Sequence, residues 1–536
     1  MQVSIFKKFS FSSQKSKTSL VWSTIFLSGA LILSNILGLL RDRIFVWRFG
    51  AGPELDAYYA AFRIPDLIFN LLVLGALFSA FIPVFTSYLA NKQKDEAWHT
   101  ANSLINIFTA GLFIICILAF ILTPYLIILI APGFIHDPSK MQTTINLTRL
   151  MLITPVIFCL SNIFSGILNS FKRFFAYALT PVVYNLGIIF GALYLTKFYG
   201  IYGLALGVII GAFLHFLIQI PSVLLVGYRY QPVFDLFHPG FKQIIKLMVP
   251  TAIALGISQI TLIIYTVLGS VLRTGTIAII NLTNNIQTFP TVVFGISIAT
   301  TIFPYFAEKA SQEKLDEFIK HFSWAIRQIL FLIIPSTAGL ILLRAQIIRL
   351  ILGVAKFTWS DTRLAAATLG LFSFSLVAQA TIPVLNRAFY AFKDTKTPLL
   401  ASFISVLVNI ALAYYLAYYY FGYQDGAKGL ALAFSLASFL QAIILVILLK
   451  KKVGFLDSKT IIISTIRILI AAFLMASAVY GTLYLVAPFV NMQRFVGILT
   501  QTICAIFVGI IVYFLLALLL KCKEIKVVNQ LFRVKK

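Results

Sequence analysis

The residues of this chain that could do chemistry are concentrated early. Arg41, Asp42, Arg43 and Arg48 are followed by Asp56, then by Arg63 and Asp66 on either side of Pro65. Guanidinium forks match the oxygens of phosphate and carboxylate, so such a cluster points to recognition of an anion. Amides extend it: Asn35, Asn70, Asn185, Gln259, Asn281, Asn284, Asn285 and Gln287. Asn281, Asn284 and Asn285 stand at i, i+3 and i+4, which puts them on one stripe of a helix. The five histidines (His99, His136, His215, His238, His321) and four cysteines (Cys116, Cys159, Cys504, Cys522) have no metal-ligand spacing. No nucleophile constellation and no Walker A sequence occurs, which argues against covalent catalysis and direct ATP drive. No metal and no cofactor is expected. His215 reads as a packed or seam residue and the cysteines as small apolar side chains.

The elements that must position these residues are membrane spans. The 536 residues are 60% hydrophobic and 11% charged, with a mean hydropathy of +0.96. A soluble domain of this length needs more charge to cover its surface. Apolar runs recur from Ser19 to Leu520, each long enough to cross about 30 Å of hydrocarbon. The spacers are too short to fold as catalytic domains. About fourteen spans are predicted, beginning near residues 19, 58, 101, 144, 174, 201, 242, 276, 322, 362, 397, 426, 460 and 495. Lipid satisfies no backbone group and ten-residue alternation is absent, so the spans are helices rather than barrel strands. The run from Leu20 to Leu40 is long for a signal peptide and reads as a retained first helix.

The formal net charge of +26 would suit a nucleic-acid binder, but its distribution is that of a topology signal. Lys7, Lys8, Lys15 and Lys17, the Lys450-Lys451-Lys452 run and the tail from Lys521 to Lys536 all fall on one side. An even number of helices then puts both termini in the cytoplasm. No nucleic-acid partner is expected.

The chain also repeats itself. Gly203-Leu204-Ala205-Leu206, with Phe213 beyond, is answered by Gly429-Leu430-Ala431-Leu432 and Phe439, an offset of 226. Phe171-Lys172 is answered by Phe392-Lys393, and Pro83-Val84-Phe85 by Pro304-Tyr305-Phe306, both at 221. One order and nearly one offset predict two pseudo-symmetric six-helix lobes. The predicted layout is a cytoplasmic N-terminus (1–18), an N-lobe (19–226), a cytoplasmic linker (227–241), a C-lobe (242–451), two appended helices (452–521) and a basic cytoplasmic tail (522–536). Six is even, so the copies run in one sense about an axis along the membrane normal, enclosing a cleft.

Charge inside a membrane costs roughly 2.5–3.5 kcal/mol per residue at a helix centre, so it needs a reason. Arg43 and Arg48 could simply snorkel to the interface. Arg41, Arg63 and Asp66 fit a cavity lining better. The amides fit equally a cavity wall or a helix–helix hydrogen-bond seam.

With these residues in view, the chain resembles the MurJ (MviN) family of lipid II flippases, within the multidrug/oligosaccharidyl-lipid/polysaccharide exporter superfamily. The resemblance is carried by Ser34-Asn35-Ile36-Leu37-Gly38-Leu39-Leu40-Arg41-Asp42, by Phe49-Gly50-Ala51-Gly52 leading to Asp56-Ala57, and by Ala131-Pro132-Gly133-Phe134. Gly166-Ile167-Leu168-Asn169-Ser170 and Arg387-Ala388-Phe389-Tyr390-Ala391, running into Asp394-Thr395-Lys396-Thr397-Pro398, complete it. It covers roughly residues 20–450. It implies fourteen helices, a cationic cavity between lobes, and alternating-access transfer of lipid II to the external leaflet, with lipid tails in a groove beside the last two helices. It also implies residence in the bacterial inner membrane.

Three departures thin the cationic cluster. Asn35 stands where the family usually has arginine, Phe69 or Asn70 where another is expected, and Asn284-Asn285 where Asp-Arg is usual. Arg41, Asp42 and Asp56 match, and Arg63 takes a position usually basic. The expected substrate-binding set is therefore Asn35, Arg41, Asp42, Asp56, Arg63, Asn70, Asn284 and Asn285. Expected partners are lipid II and membrane lipids, with a monomer working alongside cell-wall synthesis machinery. The alternatives are a flippase for another polyprenyl-linked oligosaccharide, a cation-coupled multidrug exporter, a membrane-embedded polyprenyl-lipid transferase and a non-transporting scaffold.

Overall fold

The computed structural model describes residues 16–74 and 76–525; Lys7, Lys8, Lys15 and the end of the basic tail lie outside the described residues. Every regular element among the described residues is helical. Among the described residues, eleven helices are long and apolar enough to cross a membrane, from Lys94–Ile130 to Phe495–Leu519. The segments expected near 19, 58 and 242 fall on the helix Ser16–Phe49, on the pieces from Pro53–Ala61 to Ala76–Ala90, and on the helix Pro239–Val271. The chain divides into two compact units. Among the described residues the first comprises 16–44, 61–74, 76–128 and 141–259; the second comprises 45–60, 129–140 and 260–525.

Several spans expected to be continuous are broken, and the breaks follow from proline chemistry. Proline lacks an N–H and its ring crowds the carbonyl four residues back. In hydrocarbon that freed carbonyl needs a donor from elsewhere in the protein. Pro65 frees Ala61, where Pro53–Ala61 ends and Arg63–Phe69 begins, and the Thr148 hydroxyl reaches the Ala61 carbonyl at 3.4 Å. Pro155 frees Met151, the last residue of Pro138–Met151, and Thr154 donates to its carbonyl at 2.8 Å. Pro181 frees Tyr177, and Thr180 donates there at 2.7 Å. Each of these three prolines is thus served by a threonine, while the Phe120 carbonyl freed by Pro124 accepts from Arg149 at 3.2 Å.

The repeat offset reappears in the backbone. Lys92 and Glu313 leave their helices with positive φ (61° and 56°), as do Lys172 and Lys393 (57° and 58°). A π-helical stretch at Asn70–Leu74 has a counterpart at Thr291–Ile296, and one at Gly191–Leu195 a counterpart at Tyr415–Tyr420. Matching side chains accompany these distortions, with Phe85 and Phe306 both fully buried.

Within the first unit the helices Phe174–Phe190 and Tyr202–Leu217 meet backbone to backbone. A Cβ on Gly191 would lie 2.4 Å from the Gly207 Cα, and one on Gly187 2.4 Å from the Gly211 Cα. Water-driven burial is absent between helices in lipid, so close approach through small residues supplies the packing energy. The glycine spacing at 187, 191, 203, 207 and 211 is the sequence signal of this close approach. The segment after Leu225 is strapped to the helix Lys94–Ile130. Asn102 donates to the Arg229 carbonyl, Asn106 to those of Gln231 and Val233, and Glu96 meets the His238 ring at 2.8 Å.

In the second unit, the helix Leu315–Leu342 is the spine of the core, burying Phe318, Phe322 and Phe331 against Phe306, Phe389, Leu445, Ile468 and Tyr513. The two appended helices, Ser458–Val486 and Phe495–Leu519, are fastened to this spine by polar links. The Tyr513 hydroxyl donates to the Phe331 carbonyl at 2.6 Å and Ser323 donates to Asp457 at 2.7 Å. Arg327 donates to Glu524 at 2.7 Å, and the same carboxylate oxygen accepts from Ser464. The predicted tail 522–536 therefore begins with a packed, ion-paired segment.

Two outcomes follow from this packing. Gly191→Ala forces backbone apart and should lower stability in detergent by about 3 kcal/mol, the upper end for overpacking. Gly111→Ala, where a Cβ meets nothing within 4 Å, should leave the thermal midpoint unchanged. Glu524→Leu strands Arg327 and should cost about 3–5 kcal/mol. The pair Arg327→Met with Glu524→Leu should restore most of it, read from the same melting curves.

Candidate functional site

Of the eight expected binding residues, Asn35, Arg41, Asp42, Arg63 and Asn70 lie in the first unit and Asp56, Asn284 and Asn285 in the second. In the first unit the helix Ser16–Phe49 carries Arg41 beside Asp42, which is buried. The Arg41 Nε and Nη2 both donate to one Asp42 oxygen, at 3.1 and 2.8 Å. Its Nη1 reaches the Asn185 side-chain oxygen at 3.3 Å. Asn185 in turn donates to the Ser34 hydroxyl and to the Ser34 and Pro181 carbonyls. One amide therefore links the arginine to the proline-bent helix Phe174–Phe190.

Pro181 also lines a cavity of about 290 Å³ together with Asp66, Asn70, Asn162, Tyr184 and His215, among Phe62, Pro65, Phe69, Thr154 and Phe158. Asn70 opens the π-helical stretch after Arg63–Phe69 and donates to the Asp66 carbonyl at 2.8 Å. Insertions of this kind re-aim side chains and recur at functional sites. Arg63, buried, stands one turn before Asp66 on the same short helix. The polar centre of this unit thus sets two arginines against two aspartates. The net excess of positive charge implied by the resemblance is not built from these four residues.

Asn162, Tyr184 and His215 were not among the expected residues. His215 bonds the Ser161 hydroxyl at 2.6 Å, and Gln219 donates to that hydroxyl while accepting from Ser165. Histidine at this site is both seam and cavity wall. Pro181 inside this helix is visible in the sequence, but which partners Tyr184 and Asn185 meet beyond it is not. The Asn35 amide donates back to the Leu31 carbonyl at 2.9 Å on its own helix.

In the second unit, Asp56 is a clasp. Its buried carboxylate accepts from the backbone N–H of Gly275 at 2.7 Å and of Ala278 at 2.9 Å, and from Lys140 at 3.0 Å. The two amides are free donors at the start of the helix Thr276–Pro290, where a carboxylate is favoured. Lys140 lies 4.1 Å from the Phe134 ring centroid. The Ala131-Pro132-Gly133-Phe134 motif acquires a reason here as well. A Cβ on Gly133 would collide with the Ser270 carbonyl oxygen at 2.1 Å, and its N–H donates to the Ser270 hydroxyl at 3.0 Å.

Asn281 and Asn284 are half-buried and Asn285 exposed, while Leu282, Thr283, Ile286 and Gln287 between them are buried. The expected stripe is therefore real and faces away from the packed side. Asn284 accepts from Gln287 at 3.0 Å, and Asn281 donates to the Ile277 carbonyl. In the Asp394-Thr395-Lys396-Thr397-Pro398 motif, Asp394 accepts from the Thr397 N–H and hydroxyl at the start of Lys396–Tyr414, and from Lys452 at 2.7 Å. Partial burial opposes ionisation there, yet the lysine and the Thr397 donors hold the carboxyl at about 2.

That depressed value fixes a sign. A group whose folded pKa lies below its ordinary value of about 3.9 contributes fully above that value and loses its contribution as pH falls towards 2. Acid unfolding followed by helical signal should therefore steepen between about pH 4 and 2 in the native chain, and be flatter in Asp394→Asn.

The sequence model described as "Lipid II flippase MurJ" matches residues 45–500. The probable lipid II flippase MurJ of Buchnera aphidicola subsp. Acyrthosiphon pisum is 31% identical over 380 residues, covering 70% of this chain and 74% of that protein. The lipid II flippase MurJ of Burkholderia cenocepacia is 29% identical over 396 residues, covering 72% and 76%. Among solved structures, a lipid II flippase MurJ in an inward closed conformation superposes with a TM-score of 0.76 at 28% identity, covering 92% of this chain and 98% of that one. An inward-facing multidrug transporter of the MATE family shares the fold at a TM-score of 0.64 and 16% identity, covering 81% and 99%. The chain, a multi-pass helical membrane protein, belongs to the MurJ lipid II flippase family.

Proposed function

We propose that this protein moves lipid II from the cytoplasmic to the external leaflet by alternating access, with both termini in the cytoplasm of a bacterium's inner membrane. Family membership supports the cargo. The observation that carries a cargo site in this chain is the Arg41–Asp42–Asn185 network beside the polar cavity of the first unit. Ionisable groups inside membrane spans are costly and by default point to a substrate or ion path.

The mechanism follows from the occupancy of Arg41. Two of its nitrogens are spent on one Asp42 oxygen, so the arginine is held ready rather than left unpaired. A pyrophosphate can take over that fork, since phosphate oxygens accept charge-assisted bonds at least as well as a carboxylate does. Asp42 then keeps the guanidinium oriented between loads. Arg63 adds a second cation. Asn70, Asn284 and Asn285 serve sugar and peptide groups, where neutral amides both donate and accept. Asn35 is given the same task once it releases the Leu31 carbonyl.

Lobes bounded at 19–226 and 242–451 would rock about the central axis. The Asp56 clasp joins a residue of the first repeat to the backbone of the second. It is the contact that must open when access alternates. Charge distribution supports the orientation, with Lys450, Lys451 and Lys452 on the inner side. The protein is taken to work as a monomer beside the cell-wall synthesis machinery.

Amides at Asn284 and Asn285, where the resemblance implies an acid and a base, favour one second reading: a different polyprenyl-pyrophosphate glycan as cargo. Native mass spectrometry of the purified protein, with lipid II competing against such a lipid, separates the two. Preferential lipid II binding, lowered about tenfold or more by Arg41→Ala through the loss of charge-assisted bonds, is expected. Preference for the other glycan would overturn the cargo. Unchanged binding and transport in both Arg41→Ala and Arg63→Ala would overturn the site.

A further inference from the structure

A second polar cavity, of about 480 Å³, lies wholly within the second unit and shares no residue with the site described above. Its walls carry Arg273, Arg344, Arg349, Arg363 and Lys428. Arg344 and Arg349 come from the short helix Arg344–Ile351, and Arg363 from the first turns of Trp359–Phe374. Lys428 stands near the start of Gly422–Val453, a helix whose far end bears Lys450, Lys451 and Lys452.

Five cations converge where few carboxylates answer them. Asp425, the one acidic residue on the walls, pairs with Lys428 at 2.8 Å. Asp361 pairs with Arg273, but it is also engaged by the Thr358 hydroxyl and N–H in a capping box. Arg344 and Arg349 each commit one nitrogen to a carbonyl, of Ile341 and Met492 respectively. Arg363 is exposed and has no hydrogen-bond or ion-pair partner among the described residues. The fold also makes room for this arrangement. A Cβ on Gly370 would sit 2.9 Å from the Arg344 Cδ, so the glycine is the bed on which that side chain lies.

Mutual repulsion of five cations is unfavourable unless an anion joins them. Guanidinium forks select phosphate oxygens geometrically as well as electrostatically. The surroundings place that phosphate at a bilayer surface. Trp359, at the wall, is 66% exposed, and Tyr419, Tyr420 and Tyr423, just before the wall residue Gln424, are exposed too. Exposed tryptophan and tyrosine mark headgroup depth. In the orientation proposed above the cavity is external, where a cluster of arginines runs against the general charge bias and so calls for its own reason.

We propose that this cavity is a binding site for a phosphate-bearing anion at the external headgroup level, separate from the cargo site of the first unit. The phosphate can come from an anionic phospholipid or from a soluble pyrophosphate, and the two sources are distinguished by experiment. The full-length protein is placed in phosphatidylcholine nanodiscs and titrated with inorganic pyrophosphate. In parallel, its retention of phosphatidylglycerol over phosphatidylcholine is measured by native mass spectrometry. Saturable binding in the first arm assigns a soluble ligand, and selective retention in the second assigns a lipid. In either arm, Arg344→Gln with Arg363→Gln should weaken binding about tenfold or more, from the loss of charge-assisted bonds. Lys459→Gln, an exposed charge at the other end of the bundle, should leave it unchanged. Arg363→Gln alone removes an exposed, unpartnered side chain and keeps the test open should the double variant fold poorly. Binding of neither probe, or equal binding by native chain and arginine variants, would overturn the proposal.

Discussion

Hydrocarbon offers a polar group no partner, and this constraint organises everything else in the protein. It forces the backbone into helices, and it makes each departure from helical bonding conspicuous because something must satisfy what the departure frees. Thr148, Thr154 and Thr180 stand beside the carbonyls released by Pro65, Pro155 and Pro181. The prolines create the bends, and the threonines make the bends tolerable. Those bends then place Asp66, Asn70, Tyr184 and Asn185, so the polar centre exists because the helices around it are imperfect.

The same constraint governs the charges. Arg41 is answered by Asp42 and Asn185, Asp56 by Lys140 and two helix-start amides, Arg327 by Glu524. Such pairs add little net stability compared with apolar packing, yet breaking one partner is costly. Arg327 and Glu524 use that penalty to fasten the appended helices, whereas at Arg41 the proposed site lets one anion replace another at the guanidinium. A transporter needs this property. Under the function proposed above, the site must be stable when empty, and able to release its internal partners when the cargo brings better ones.

The packing between helices shows how little specificity needs side-chain variety. Gly187, Gly191, Gly207 and Gly211 bring two helices into backbone contact, and Gly133 does the same against Ser270. Where bulk is required, the second unit stacks Phe306, Phe318, Phe322 and Phe331 along one spine. The two halves of the chain differ in most of these side chains, Phe306 and its counterpart Phe85 excepted, but agree in several local distortions. The π-helical stretches at Asn70–Leu74 and Thr291–Ile296 stand at nearly the offset of the sequence repeat.

The sequence by itself determined the spans, the internal repeat, the clustering of charge between Arg41 and Asp66, and the family. These are properties of composition and order along a line: length of apolar run, offset between matching segments, spacing of residues along one helix. The starts predicted near 174, 276, 397 and 495 agree with helices beginning at Phe174, Thr276, Lys396 and Phe495. Only the tertiary structure decided who partners whom. It took Asp56 to Lys140 and the Gly275 amide, turned Asp394 into a helix cap held by Lys452, folded Asn35 back on its own helix, and gathered Arg344, Arg349 and Arg363 around one cavity. The physical reason is rotation. A span's hydropathy is nearly blind to the angle at which its helix faces its neighbours, and each proline break or π-helical insertion resets that angle. Partner choice therefore depends on distortions whose size is fixed only when the helices pack.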